Sequence, residues 1–532
     1  MLITITGAKC VGIDAVPVSV EVKIDRGIGI HLVGLADAAV KESLLRTVTA
    51  LQSMGFHIPG KKIVINLAPA DLHKSGSGYD LPIALGIIAA SEQRNLLALS
   101  KYLIMGELGL DGSVRPVPGA LPFAEMAIAK GLAGCILPTR SALEAVEYRQ
   151  SAIFGVDTLS DVLRILEERE DNSRLLIWNK PAYHEALEAA GHDTAGDYPD
   201  FADIIGQEGA KRGAEIAVSG GHNLILVGSP GSGKSTLAKA MAGILPPMTL
   251  EESIVTSKIY SISGVPRSGY GLMKKRPFRA PHYSASLPAI IGGGNGNSVM
   301  PGEVSLANGG VLFLDEFAQI PKSVVEALRG PLEDRKVAVS RLRTKTEYPC
   351  SFMLVAASNP CPCGYYGEGD RCTCTVGRRM SYLSRLSGPI MDRLDLHVWM
   401  SPVDTGRLVR RVKGESSAEV AKRVLAARKI QEYRFRDEGI SVNAEMDSRM
   451  LERFCPLDDN CNSMMEKLIC ARGLSARAFT RILKVARTIA DLDAVVSAPA
   501  GEEPVPGPLS PEHLAEAATY RFLDRRNLEE IL

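Results

Sequence analysis

The residues most able to do chemistry begin with Gly228-Ser229-Pro230-Gly231-Ser232-Gly233-Lys234-Ser235, which reads G-x-x-x-x-G-K-[ST]. The apolar run Leu224 to Val227 precedes it, and a helical pattern from Ser235 to Leu245 follows. That strand–turn–helix context is what a phosphate cradle needs. Glycines let successive backbone N–H groups wrap the phosphates, which then sit at a helix N-terminus where the dipole favours anions. Lys234 would neutralise the outer phosphates of ATP, Ser235 would offer its hydroxyl to Mg2+, and Thr236 would close the ATP-binding stretch.

Two further strand tips supply partners. Val311 to Leu314 is fully apolar and suits a buried parallel strand; it ends in Asp315-Glu316. Carboxylates there fall at the edge of an α/β sheet where ligands bind. Asp315 would hold Mg2+ through water and Glu316 would polarise the attacking water. By itself the acidic pair would read as a solvated loop; the phosphate cradle changes that reading. Phe352 to Ala357 is a third apolar strand, ending at Ser358-Asn359-Pro360. Asn359 could orient the water or touch the γ-phosphate, although Asn-Pro is also ordinary turn chemistry.

Cys361, Cys363, Cys372 and Cys374 form two C-x-C pairs, with Gly364, Gly367 and Gly369 between them. Four thiolates in a short loop can close a tetrahedral zinc site. With sulfur in every position such a zinc would be structural. The usual spacing is C-x-x-C, so four reduced thiols or a redox-labile loop remain alternatives. The other six cysteines are scattered, and no disulfide framework is expected in a cytoplasmic chain.

The elements that must position these groups divide the 532 residues into segments. Residues 1–168 mix strand-like runs (Val16 to Ile24, Lys62 to Leu67) with helical ones (Ala38 to Met54, Leu81 to Ala90), an α+β pattern. Residues 169–200 are polar and aperiodic and read as a linker; 201–400 carry the α/β core with the cysteine loop as an insertion. Helical patterns fill 401–498, and a proline-rich break leads into a last helix within 499–532, opened by Ser510 and Pro511. No run approaches the roughly 18 apolar residues of a membrane span, and Met1 to Thr6 lacks a signal-peptide plan. A cytoplasmic location without membrane partners is expected. Lys plus Arg and Asp plus Glu are 61 each, so no global field attracts nucleic acid, though a local basic track stays open.

The order of these pieces resembles the AAA+ ATPases, and specifically the magnesium-chelatase-like group that includes ComM and YifB. The likeness covers nearly the whole chain and is carried by Val33 to Ser43, Arg276 to His282, Gly309 to Glu316, Arg385 to Asp395 and Leu474 to Leu483. It implies an AAA+ P-loop core with a helical lid, and a homo-oligomeric ring, by expectation a hexamer, with ATP between subunits. On that pattern Arg393 resembles the arginine finger that reaches a neighbour's γ-phosphate, and Arg477 the sensor arginine of the lid. A guanidinium suits both tasks, being always charged and forked. Asp203 to Gln207 resembles the segment over the adenine. Departures are small: Ser229 stands where proline is usual and Ser235 where threonine is common.

The first segment resembles the proteolytic domain of Lon, within the ribosomal-protein-S5-like fold. Lon chemistry needs a serine and a lysine. Asp80 stands at the nucleophile position and Phe123 near the lysine position, so the domain is expected to be non-catalytic, with Ser75 and Ser77 keeping a protease as the least favoured alternative.

For the motor's substrate, Arg276 and Arg279 lie in a long segment between the ATP-site motifs, and Lys336 to Tyr348 reads as a hairpin. Arg341, Arg343 and Lys345 alternate, which would place three cations on one strand face, either a phosphate track or a solvated surface. The resemblance to ComM-type helicases favours DNA as partner, with branch migration in recombination or natural transformation as the activity and recombination proteins as further partners. The alternative is a chelatase-type ATPase remodelling a protein partner.

Overall fold

In the computed structural model the described residues are 2–35, 37–192, 198–265, 269–294, 299–341, 344–386, 388–402, 406, 413–499 and 502–524. Two sheets organise them. The first contains β1 (Leu2–Val11), β2 (Asp14–Asp25), β3 (Gly29–Val33), β4 (Lys62–Ala68), β5 (Tyr102–Ile104), β8 (Gly134–Pro138) and β9 (Ala152–Val156) in the order β3-β4-β2-β1-β5-β8-β9. A small ribbon of β6 (Glu107–Leu108) and β7 (Val114–Arg115) adjoins it. β4 alternates buried and half-buried positions, the mark of a sheet covered on one face, and the wholly buried helix Asp80–Ala90 packs against β1 and β2.

The segment read as a linker is partly folded. Leu175, Ile177 and Tyr183 are buried in the first core, Trp178 Nε1 donates to Val146 O at 2.9 Å, and Pro181–His192 is helical. Isolated apolar anchors can dock a segment without any amphipathic period, which is why its sequence looked like a connection.

The second sheet is parallel throughout, in the order β11-β14-β17-β10-β18, from β10 (Leu224–Gly228), β11 (Phe278–Arg279), β14 (Val311–Leu314), β17 (Met353–Ser358) and β18 (Leu396–Met400). Strands β10, β14 and β17 are buried along their whole length, as strands covered on both faces must be. Register pairs Val227 with Ser358 and Leu314 with Ala356, so the residues following all three strands emerge at one edge. Between β11 and β14 lies a small pair, β12 (Gly292–Gly293) with β13 (Met300–Pro301), and between β14 and β17 the hairpin of β15 (Lys336–Arg341) and β16 (Thr344–Pro349). Helices Ser417–Phe435 and Ala476–Ser497, each with a serine N-cap, pack with the core helix Glu208–Gly220 behind this sheet.

Candidate active site

The turn after β10 is built by three glycines with distinct reasons. A Cβ on Gly228 would lie 2.5 Å from Met400 O, so only glycine fits beside β18. Gly231 and Gly233 have φ of +81° and +94°, the left-handed region. Gly233 then caps the helix Lys234–Gly243, whose first N–H groups have no partner within the helix. Lys234 is 9% exposed, and its Nζ donates to Gly228 O (2.6 Å), Ser229 O (2.9 Å) and Asn359 Oδ1 (3.2 Å). Burial lowers its pKa, while nearby Asp315 favours the charged form. The ammonium is thus folded back onto the carbonyls of its own turn. Ser235 Oγ donates to Asp315 Oδ2 at 3.0 Å, so the two magnesium candidates share one spot. Thr236 is exposed on the next helical position. Gln207, itself at φ +61°, donates from Nε2 to Ser232 O at 3.3 Å, tying the segment Asp203 to Gln207 to the turn.

Glu316 has φ +49° and ψ +42°, an unusual backbone for a residue with a side chain. It is held there by its own N–H donating to Asp315 Oδ1 (2.8 Å) and by the turn Phe317–Gln319, with Phe317 buried. Strained backbones of this kind concentrate at functional positions. Sequence pattern could not reveal this strain, because no side-chain type encodes it.

The two arginines singled out by sequence lie elsewhere. Arg393 is 5% exposed, with Nη1 donating to Pro389 O at 2.6 Å and Nη2 paired to Glu333. Arg477 has a 64% exposed side chain, 3.6 Å from Asp392. Arg481, one turn further along the same helix, was not singled out by sequence and pairs with buried Asp395 at 2.9 Å.

At the tip of β17 the four cysteine ligand atoms lie within 4.8 Å of one another. Sulfur separations are 3.3 Å (Cys361–Cys363), 3.8 Å (Cys361–Cys372) and 3.7 Å (Cys363–Cys372). A tetrahedron with Zn–S bonds of about 2.3 Å has S–S edges of about 3.8 Å, so this donor set fits a zinc-sized ion. The backbone N–H of Tyr365 helps hold the Cys363 thiol down to about 6, whereas burial pushes Cys361 up to about 12. Stacking of Arg371 over Tyr365 and Arg379 over Tyr366, each at 4.3 Å, braces the loop.

Comparison with known proteins fits this geometry. Residues 200–408 match the family described as magnesium chelatase, subunit ChlI; residues 20–141 match subunit ChlI of Mg-chelatase, and 414–521 its C-terminal region. The chain is 41% identical over 516 residues to the uncharacterized protein YifB of Salmonella typhimurium, covering 97% of this chain and 96% of that protein. It is equally similar to the competence protein ComM of Haemophilus influenzae, at 41% over the same coverage. The chain belongs to the magnesium-chelatase-like YifB/ComM family of ATPases. A more distant likeness, 30% over 164 residues, is to the magnesium-chelatase 67 kDa subunit of Chlorobaculum tepidum.

Within this YifB/ComM chain, two of the DNA-contact candidates sit in internal ion pairs. Arg276 donates to Pro246 O (2.6 Å) and Gly309 O (2.5 Å) and forks onto Glu252 at 3.1 and 2.8 Å. Arg279 forks onto Glu303 at 2.6 and 2.7 Å. Both guanidinium groups tie separate segments of the chain together. The three hairpin cations do not share one strand, because the chain turns between Arg341 and Thr344. Register sets Arg341 opposite Thr344 and Lys345 opposite Ser340, with Arg341 on β15 and Lys345 on β16. Arg343, and the side chains of Arg341 and Lys345, lie outside the described residues.

In the first unit of this family member, Asp80 is buried and receives Arg46 Nε at 3.0 Å and Leu108 N at 3.3 Å. Phe123 is buried as well. Ser75 and Ser77 line a cavity of about 620 Å³ together with Lys9, Asp37, Met300 and Tyr348. No helix among the described residues is long and apolar enough to cross a membrane.

Proposed function

We propose that this chain is an ATP-hydrolysing AAA+ ring motor that acts on DNA, in branch migration during recombination or natural transformation. The observation that carries the ATPase half is the convergence of Lys234, Ser235, Asp315 and Asn359 through hydrogen bonds at one sheet edge. In that reading the turn 228–236 binds the phosphates, Ser235 and Asp315 hold Mg2+, and Glu316 and Asn359 direct the water. Arg393 and Arg477 would act in trans and in cis; Arg393 must leave Glu333 to reach a neighbouring subunit. Cys361, Cys363, Cys372 and Cys374 would hold one structural zinc. The first unit would be a non-catalytic relative of the Lon and S5 folds, with Asp80 in an ion pair where a nucleophile would stand.

The DNA half rests on the ComM likeness, with Arg341, Arg343 and Lys345 of the hairpin as the contact candidates; Val337, Val339 and Tyr348 of the same hairpin are buried. The second reading, a chelatase-type remodeller of a protein partner, is favoured by the ChlI matches along the chain. Steady-state ATPase with no DNA, single strands, duplex and four-way junctions separates them, with Glu316→Gln as the blank. Stimulation by DNA that vanishes in the blank supports the DNA motor. A Glu316-dependent rate that no DNA changes supports the remodeller.

A further inference from the structure

The cysteine loop touches the phosphate loop. Gly364 follows Cys363 directly and has φ +87°; a Cβ there would lie 2.7 Å from Pro230 Cδ and 2.8 Å from Cγ, with Asn359 Cγ 3.9 Å away. Pro230 is the one residue of the turn 228–236 whose φ is fixed by a ring. The glycines flanking it give the turn a wide choice of backbone conformations, so a wall against Pro230 removes much of that freedom. The far side of the cysteine loop is also seated: a Cβ on Gly367 would be 3.4 Å from Trp399, which pairs in register with Val227, the residue just before the turn.

We propose that the metal-loaded cysteine loop is the outer wall of the phosphate loop, so that metal occupancy sets nucleotide affinity, with Gly364 as the positioning residue. This rests on the reading of residues 228–236 as the ATP site and of the four thiols as a zinc site. The physical basis is preorganisation. Four sulfurs drawn onto one ion fix the loop 361–374, Gly364 then fixes Pro230, and less ordering remains to oppose binding. Small misplacements in such a cradle cost large factors in binding and rate. The close approach leaves no room for a side chain at 364, which accounts for glycine there independently of its positive φ.

The test uses the full chain. Zinc content is measured by atomic absorption and affinity by titration with a fluorescent ADP analogue, before and after a zinc-selective chelator and after zinc is restored. Stripping is expected to weaken nucleotide binding by roughly tenfold or more, reversibly, with far-UV circular dichroism unchanged. Gly364→Ala is expected to keep its zinc yet weaken binding by a similar factor. Adding Pro230→Ala to that variant should cost less than it does in the wild type, because the two residues share one contact. If Gly364→Ala does not fold, the chelation arm decides. Zinc-independent affinity, wild-type affinity in Gly364→Ala, or wild-type protein that carries no zinc would overturn the proposal. Zinc-loaded wild type that binds no nucleotide would overturn the ATP-site reading itself, a distinguishable result.

Discussion

Asp395 and Arg481 meet at 2.9 Å where the parallel sheet abuts the helix Ala476–Ser497. One turn before Arg481 on the same helix, Arg477 lies 3.6 Å from Asp392. The two ion pairs bracket Arg393, so the segment that carries the candidate finger is held by the helix that carries the candidate sensor. They differ in environment: Asp395 is buried, with Asn223 N also donating to it at 3.0 Å, whereas Arg477 is largely exposed. Arg481→Ala should therefore cost about 2–3 kcal/mol, because it strands a buried carboxylate. Arg477→Ala should cost under about 1 kcal/mol yet reduce ATPase. Thermal unfolding and steady-state ATPase of both variants give the comparison; equal stability losses would show that the exposed pair is also structural.

The left-handed backbone at Glu316 allows a sharper separation of stability from activity. Glu316→Gln keeps the strained φ and the side-chain shape but removes the base, and should lower the hydrolysis rate about 100-fold or more while nucleotide still binds. Glu316→Gly relieves the strain and should raise stability by about 1 kcal/mol while abolishing hydrolysis equally. A destabilised glycine variant would mean that the side chain, not the strain, dominates at this position.

Much of the candidate site's geometry was legible because each part is announced locally. Lys234 and Ser235 follow a spaced glycine set, and Asp315 and Asn359 end short apolar runs whose burial on both faces forces them into a parallel sheet. The helical patterning of 401–498 likewise corresponds to observed helices such as Ser417–Phe435 and Ala476–Ser497. What sequence does not announce is tertiary. Nothing near Arg276 or Arg279 shows that Glu252 and Glu303 will claim them. Ser340-Arg341-Leu342-Arg343-Thr344-Lys345 contains no Gly, Pro, Asn or Asp to mark the turn that breaks the alternation. The contact of Gly364 with Pro230 joins two loops that only the sheet order β17-β10 makes neighbours.

Arg276 and Lys345 should behave oppositely on substitution. Arg276→Ala leaves Glu252 and the carbonyls of Pro246 and Gly309 without their partner, and should cost about 2–4 kcal/mol in stability with no effect specific to DNA. Lys345→Ala should leave stability within about 0.5 kcal/mol of wild type while weakening DNA stimulation and its salt dependence. Unfolding midpoints and DNA titrations at two salt concentrations distinguish them. Normal DNA stimulation in Lys345→Ala would remove the hairpin from the DNA reading.

The buried groups around Asp395 set an acid limit on the fold. Burial opposes ionisation of Asp395, but Arg481 and His222 outweigh it and hold its carboxyl well below the usual range. A depressed carboxyl contributes stability that is full above the unfolded value near 3.9 and is lost as pH falls below it. His222, with Nε2 2.8 Å from Thr488 Oγ1, and His397 are both lowered, chiefly by burial. The unfolded chain then binds their protons first, so stability starts to fall below about pH 6.5, by up to about 1.4 kcal/mol per pH unit for each. Lys484, lowered to about 8 chiefly by burial and then by Arg481, acts higher: its contribution is complete above about 10.5 and is lost as pH falls toward 8. Unfolding midpoints should therefore drop between pH 6.5 and 5 in the wild type, and about half as steeply in His222→Gln. An unchanged slope in that variant would mean that His222 does not carry the acid limb.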